Sequence, residues 1–401
     1  MARPLGLSGE APPPARGAPP LAAKGFRPFF LLAAGFAACI LPVWMLSLAG
    51  VASMDAYLDP TYWHAHEMVF GYAVAVIAGF LLTAVSNWTG RETATGTPLV
   101  VLGVVWFLGR LAFVLPHATP RALVAVLDLA FLPALAVAIG RPIFASKNRR
   151  NYPIVAVVMA LWLVDLAIHL DALGVLVAWR KRASLVAVDL VVLLIMFLAA
   201  RTFPMFTRNA TKVQSIRNVP ALDWAAMGAM LGVLLADLLL PGSRLGSVLC
   251  AVTAALALAR SATWGARHSL RVPLLWILHA AHLWIPIGLG LRALSALTYA
   301  VPPSSALHAL TVGAIGSATL GMMARVGLGH TGRALEPPKI ITVAFLLLTL
   351  AAVVRVAGPF ALALYRPSLY VAGSLWTAAF VAYVVVYAPI LSAPRPDGKP
   401  G

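Results

Sequence analysis

The residues best suited to chemistry are histidines set into apolar surroundings. Tyr62-Trp63-His64-Ala65-His66-Glu67-Met68 stands at the mouth of a long hydrophobic run, and Trp276, His279 and His282 lie inside another. His308 opens a third run, and His330 follows its end. A buried imidazole is costly unless a partner binds it. Neutral imidazole also ligates iron and copper through one ring nitrogen. His64 and His66 are two residues apart, about 200° on a helical wheel, so a regular helix cannot turn both to one partner. Glu67 could accept the second N–H of an imidazole, the usual way a metal-bound histidine is oriented. The reading without metal is an interfacial anchor, since Trp and Tyr favour the headgroup region.

His279 and His282 follow the i, i+3 spacing and project from one helix face. Such a pair could hold copper or iron, hydrogen-bond Ser or Thr on a neighbouring helix, or relay protons. His330 could join it as a further ligand. Arg325-Val326-Gly327-Leu328-Gly329-His330-Thr331-Gly332-Arg333 is a Gly-rich basic turn. Its Arg325 and Arg333 guanidinium groups suit carboxylates such as haem propionates, or simply form a positively charged loop. Asp165, Asp189, Asp237, Arg110 and Arg355 are candidates for buried ion pairs or proton paths.

The elements that must position these side chains are membrane helices. The chain has 401 residues, 61% hydrophobic and 11% charged, where a soluble domain carries about a quarter charged. The apolar residues fall in runs of about 20, the length a helix needs to cross a bilayer. Twelve runs are legible, which predicts an all-α polytopic membrane protein of about twelve transmembrane helices. Those carrying chemistry are expected at about 63–88, 273–297 and 306–324, and the sixth at about 184–200. Residues 24–391 read as one transmembrane domain, residues 1–23 as a disordered Pro/Ala/Gly-rich tail and 392–401 as a short disordered tail.

The formal charge of +17 invites a nucleic-acid reading. However, the basic residues are scattered among short connections with no groove that alternates with aromatics, and nucleic-acid binding is excluded on that pattern. Positive-inside topology accounts for them with both termini cytoplasmic. Of the 30 Lys and Arg residues, only Arg121, Arg180, Lys181, Arg182, Arg244, Arg292 and Arg366 then fall outside. The triplet at 180–182 is the discordant cluster. In this topology His64, His66 and His308 open helices two and ten from the outer side. If those helices are neighbours, a haem iron would sit between His64 or His66 and His308, with Glu67 behind. His330, Arg325 and Arg333 lie on the inner side.

Other chemistry has no support. Ser/His/Asp triads and phosphate-cradling loops are absent. Cys39 and Cys250 lack a CxxC partner and are expected to be small buried apolar residues. Gly313, Ser317 and Gly321 form a small-residue stripe that admits a neighbouring helix or a flat ligand.

Three segments together resemble one family: Phe26-Arg27-Pro28-Phe29-Phe30, Trp63-His64-Ala65-His66-Glu67-Met68 continuing to Gly79-Phe80-Leu81-Leu82-Thr83, and the turn 323–333. Asn87-Trp88-Thr89-Gly90 and His308-Ala309-Leu310-Thr311-Val312-Gly313 fit the same pattern. The chain is similar to the NnrS family of haem- and copper-containing bacterial membrane proteins, over about residues 24–391. The resemblance implies a multi-pass protein of the bacterial inner membrane, with haem b and copper. It also implies binding of nitric oxide or another small diatomic ligand in nitrosative stress and denitrification, with a haem- or copper-dependent oxidoreductase as one form. The outline is also similar to the core subunit of haem–copper oxidases, although the double-His copper motif of that superfamily is missing from helix seven. The rival classes are a proton-coupled transporter using intramembrane histidines and a non-catalytic metal-containing sensor or assembly protein.

Overall fold

The structure, a computed structural model, describes residues 19–51, 57–115 and 119–399. Among these residues there is no strand, and twelve helices are long and apolar enough to cross a membrane. In chain order they are α1 (Phe26–Leu48), α2 (Pro60–Thr89), α3 (Thr97–Val114), α4 (Arg121–Ala145), α5 (Arg149–Ala172) and α6 (Arg180–Thr211). The second half adds α7 (Pro220–Leu239), α8 (Arg244–Thr263), α9 (Pro273–Ser295), α10 (Pro303–His330), α11 (Lys339–Phe360) and α12 (Leu362–Ser392). The fold is therefore an all-α polytopic membrane protein. An even number of crossings places the two described ends on one side.

Large apolar side chains such as Phe107, Val126, Val248 and Val385 stand exposed on the outer faces. In water that would be an aggregation surface, whereas in a bilayer it is the lipid-facing surface. Cys250 is buried, but Cys39 is exposed on α1, contrary to expectation. A thiol behaves as a small apolar group and tolerates a lipid-facing position.

α2, α10 and α6 are the most enclosed spans. α2 packs on α1 and α4, while α10 packs on α9 and α11, and α6 touches both α2 and α10. The stripe on α10 receives α9: a Cβ at Gly313 would meet Trp284 at 2.5 Å, and one at Gly321 would meet Ile277 at 2.8 Å.

α6 is much longer than its hydrophobic run and begins at Arg180, the first residue of the basic triplet. Arg180 Nε is hydrogen-bonded to Asp171 Oδ1, and Trp179 N donates to Asp171 Oδ2 at 2.6 Å. That carboxylate caps the helix start and offsets part of the discordant charge. α4 breaks at Ala130 because Pro133 has no N–H to offer the carbonyl four residues earlier. Trp162 Nε1 supplies the missing donor to Leu129 O at 3.1 Å. At the opposite face of the bundle, Arg27 Nη1 donates to Leu391 O and Ala393 O at 2.7 and 2.8 Å, closing the last turn of α12 against the start of α1.

Candidate functional site

Asp59 sets the start of α2. Its Oδ1 accepts from Thr61 N and Tyr62 N at 3.1 and 3.2 Å, and Pro60 supplies a preset φ at the first helical position. His64 and His66 follow within two turns, after which Glu67–Ala73 is π-helical. α10 repeats the device: Pro303 opens it, His308 follows, and Ala309–Gly316 is π-helical. Single π-helical insertions are rare and concentrate at functional sites. Here one lies directly after the histidines of each helix.

His64 and His308 line one cavity of about 830 Å³, within the range of about 300–1,000 Å³ typical of small-molecule sites. His64 is stacked on Trp44, with ring centroids 4.0 Å apart and planes 17° from parallel. Its buried Nδ1 has no hydrogen-bond partner among the described residues. His308 Nδ1 lies 2.6 Å from Ser304 O, so that nitrogen carries the proton and donates. The lone pair of His308 is therefore on Nε2. The cavity wall adds Lys181, Arg292, Arg355 and Arg366 and, among the described residues, no carboxylate. Arg292 is engaged by Asp189 at 2.9 Å and by Asp237. Arg355 Nη1 is buried with no hydrogen-bond partner among the described residues. The site thus offers two imidazoles, apolar and aromatic walls, and uncompensated positive charge.

His66 faces away from that cavity. Its Nε2 lies 2.9 Å from Asp165 Oδ1 and 3.1 Å from Asp128 Oδ2. His169 Nε2 reaches the same Asp128 oxygen at 2.9 Å and Asp165 Oδ1 at 3.7 Å. One donor atom from each of these four buried residues lies within 4.8 Å of the others, a group able to hold a metal ion. The outer ring nitrogens are also engaged, His66 Nδ1 with Glu67 Oε1 at 3.0 Å and His169 Nδ1 with Tyr57 Oη at 2.7 Å. Arg110 reaches Glu67 Oε1 at 2.7 Å and pairs with Asp128 Oδ1. Burial holds the Tyr57 phenol above its ordinary range, so it stays protonated.

Glycine and the α4 break bring these groups together. A Cβ at Gly109 would sit 3.1 Å from Asp128 Cα, and one at Gly71 would meet Phe36 at 2.5 Å and Arg110 Nη1 at 3.2 Å. Larger residues there would hold α3 off both α4 and α2.

The NnrS family model, described as "NnrS protein", matches residues 20–395. The chain belongs to the NnrS family. No curated protein matches it.

Within this NnrS-family chain the other expected site residues fall elsewhere. Glu67 orients His66 and stands apart from the His64–His308 cavity. His279 Nε2 lies 2.8 Å from Thr207 Oγ1, whose own proton goes to Phe203 O at 2.8 Å. His279 Nε2 must therefore donate, and the interhelical hydrogen bond is the alternative realised. His282 packs on Trp264 with centroids 4.5 Å apart, and the Arg260 guanidinium lies 4.8 Å over the same indole. Arg260 is itself paired with Asp223 at 2.9 Å, and both ring nitrogens of His282 are buried with no hydrogen-bond partner among the described residues. His330 sits against Phe26 at 5.7 Å, and its carbonyl accepts from Arg395 at 3.0 Å. No contact brings it to His279 or His282.

Arg325 and Arg333 do not reach the di-imidazole cavity. Arg325 lies about 25 Å along α10 from His308 at 1.5 Å per residue, with its guanidinium 4.0 Å over Phe206. Arg333 Nη1 donates to Thr331 O at 3.4 Å in the turn after α10. Sequence reasoning missed His169 and Asp128, whose only signals were a histidine in the last turn of one apolar run and a single charge inside another.

Proposed function

We propose that this NnrS-family protein binds haem b in the His64–His308 cavity of the bacterial inner membrane, and that nitric oxide or another small diatomic ligand is taken up there in a nitric oxide response. The observation that carries the reading is the meeting of His64 and His308, 244 residues apart in the chain, at one cavity, each helix being π-helical just beyond its histidine. The residues present fit the group. Among the described residues, His64 Nδ1 and Arg355 Nη1 are buried with no hydrogen-bond partner, and such orphaned atoms cost free energy unless a ligand meets them.

A bound haem would supply an iron centre able to ligate diatomic gases. The side chains divide the work of holding it. His64 and His308 would offer nitrogen to iron. Trp44 keeps the His64 ring in plane, and Ser304 O fixes the His308 tautomer so that Nε2 is the free donor. Arg355, Arg366 and Lys181 would meet the propionates, with Arg355 positioned for charge-assisted bonds. These replace Arg325 and Arg333 as the propionate partners. The apolar walls exclude water and strengthen those contacts. Copper belongs to the same functional reading; of the His279 and His282 pair, His279 Nε2 is taken by Thr207, while both ring nitrogens of His282 are buried with no hydrogen-bond partner among the described residues.

The test is spectroscopic. Protein purified in detergent from haem-replete cells should show a Soret band, and nitric oxide added to the reduced protein should shift it. A haem-containing protein whose spectrum nitric oxide leaves unaltered would contradict the gas-binding part. A protein without the band would contradict the whole.

A further inference from the structure

The buried cluster between α2, α3, α4 and α5 is separate from the cavity and is more fully built. Three carboxylates, Glu67, Asp128 and Asp165, face one guanidinium, that of Arg110. With ionised carboxylates and neutral imidazoles the group lacks two positive charges. All four potential ligands are buried, and Glu67 Oε2 is buried with no hydrogen-bond partner among the described residues. An uncompensated double negative charge at this depth is expensive.

From this geometry we infer a mononuclear site for a divalent transition-metal ion, ligated by His66 Nε2, His169 Nε2, Asp128 Oδ2 and Asp165 Oδ1. Four observations converge on it. The two Nε2 atoms and the two carboxylate oxygens point at one another from three helices. Each imidazole has its outer nitrogen held, by Glu67 and by Tyr57, as metal-bound histidines do. Arg110 occupies the other oxygen of Asp128 and leaves Oδ2 to the site. A divalent ion supplies the two missing charges.

Two imidazoles and two carboxylates suit Fe(II), Mn(II), Zn(II) or Cu(II) rather than Cu(I), which prefers sulfur ligands. Glu67 and Tyr57 are positioning residues, since they act on the ring rather than on the metal. The inference stands apart from the haem reading because the two sites share no side chain.

Metal analysis and Co(II) titration decide it. The purified wild-type protein should contain one equivalent of a divalent metal beyond any haem iron. After chelation it should bind one Co(II) with visible ligand-field bands. His66→Ala and His169→Gln should each remove that equivalent and those bands. Glu67→Gln and Tyr57→Phe should weaken Co(II) binding by about 10–100-fold without abolishing it. His64→Ala should leave the metal equivalent in place while altering the haem band, so failure of one site is distinguishable from failure of the other. A wild-type protein that holds no such metal and gives no Co(II) bands would overturn the inference, which needs no variant to fold. Full metal content in both histidine variants would overturn it equally.

Discussion

His64 and His66, two residues apart on α2, face different sites. His64 lies flat on Trp44 at the wall of the cavity, and His66 lies among Asp128, Asp165 and His169. One short segment therefore supplies both a cationic di-imidazole cavity and an anionic cluster. The division follows from the helical wheel, because two positions differ by about 200°. Glu67 falls on the side of His66 and belongs to the second site.

Arg355 should matter to haem retention and Arg325 should not. Arg355→Ala removes a cavity-lining guanidinium with an unpaired nitrogen, and charge-assisted bonds of this kind contribute about 1.5–3 kcal/mol. Haem content per protein, or haem transfer to an apo-globin acceptor, should show about 10-fold weaker retention. Arg325→Ala should match the parent. Equal loss in both variants would return the propionate role to the inner turn.

Acid should empty the cluster. Metal ligands must be deprotonated to bind, so protons compete more strongly as pH falls. Co(II) ligand-field bands should diminish on acidification and return on neutralisation. Tyr57→Phe should retain this direction, since the phenol stays protonated throughout. Bands that strengthened in acid would contradict imidazole ligation.

The pairing of Arg292 with Asp189 and Asp237 should be structural. Asp189 is fully buried, and removing one member of a buried ion pair costs about 3–5 kcal/mol because the other charge is left uncompensated. Arg292→Met should lower the thermal midpoint in detergent, and adding Asp189→Asn should recover part of the loss. A double variant less stable than the single one would mean the aspartate has another cation.

Gly71→Leu should disturb the cluster from a position that touches no ligand. The side chain would collide with Phe36 and crowd Arg110, forcing α3 outward. Co(II) affinity should fall while the protein still inserts and purifies. Unchanged affinity would show that α3 yields without moving Arg110.

Much of the fold was legible because crossing a bilayer imposes one length and one composition on every helix. The twelve spans and the small-residue stripe on α10 follow from local runs, whereas the sequence left open whether α2 and α10 are neighbours, and their meeting at one cavity is seen only in the fold. The cluster was not legible. His169 is a histidine near the end of an apolar run, and Asp128 is one charge inside another. Their meeting depends on a proline-induced break in α4 and on Gly109, neither of which signals its partner. The inner turn misled for the opposite reason: Arg325 and Arg333 have the right chemistry for propionates, but lie at the wrong end of α10. Spacing along one helix likewise placed His279 and His282 on a common face without revealing that Thr207 and Trp264 would take one each.

The central claim is that His64 and His308 share one haem. The most direct test is the visible spectrum of the purified protein beside His64→Ala, His308→Ala and His282→Ala. The account predicts that the first two lose or shift the Soret band and that the third keeps it. A band unchanged in both His64→Ala and His308→Ala would contradict it.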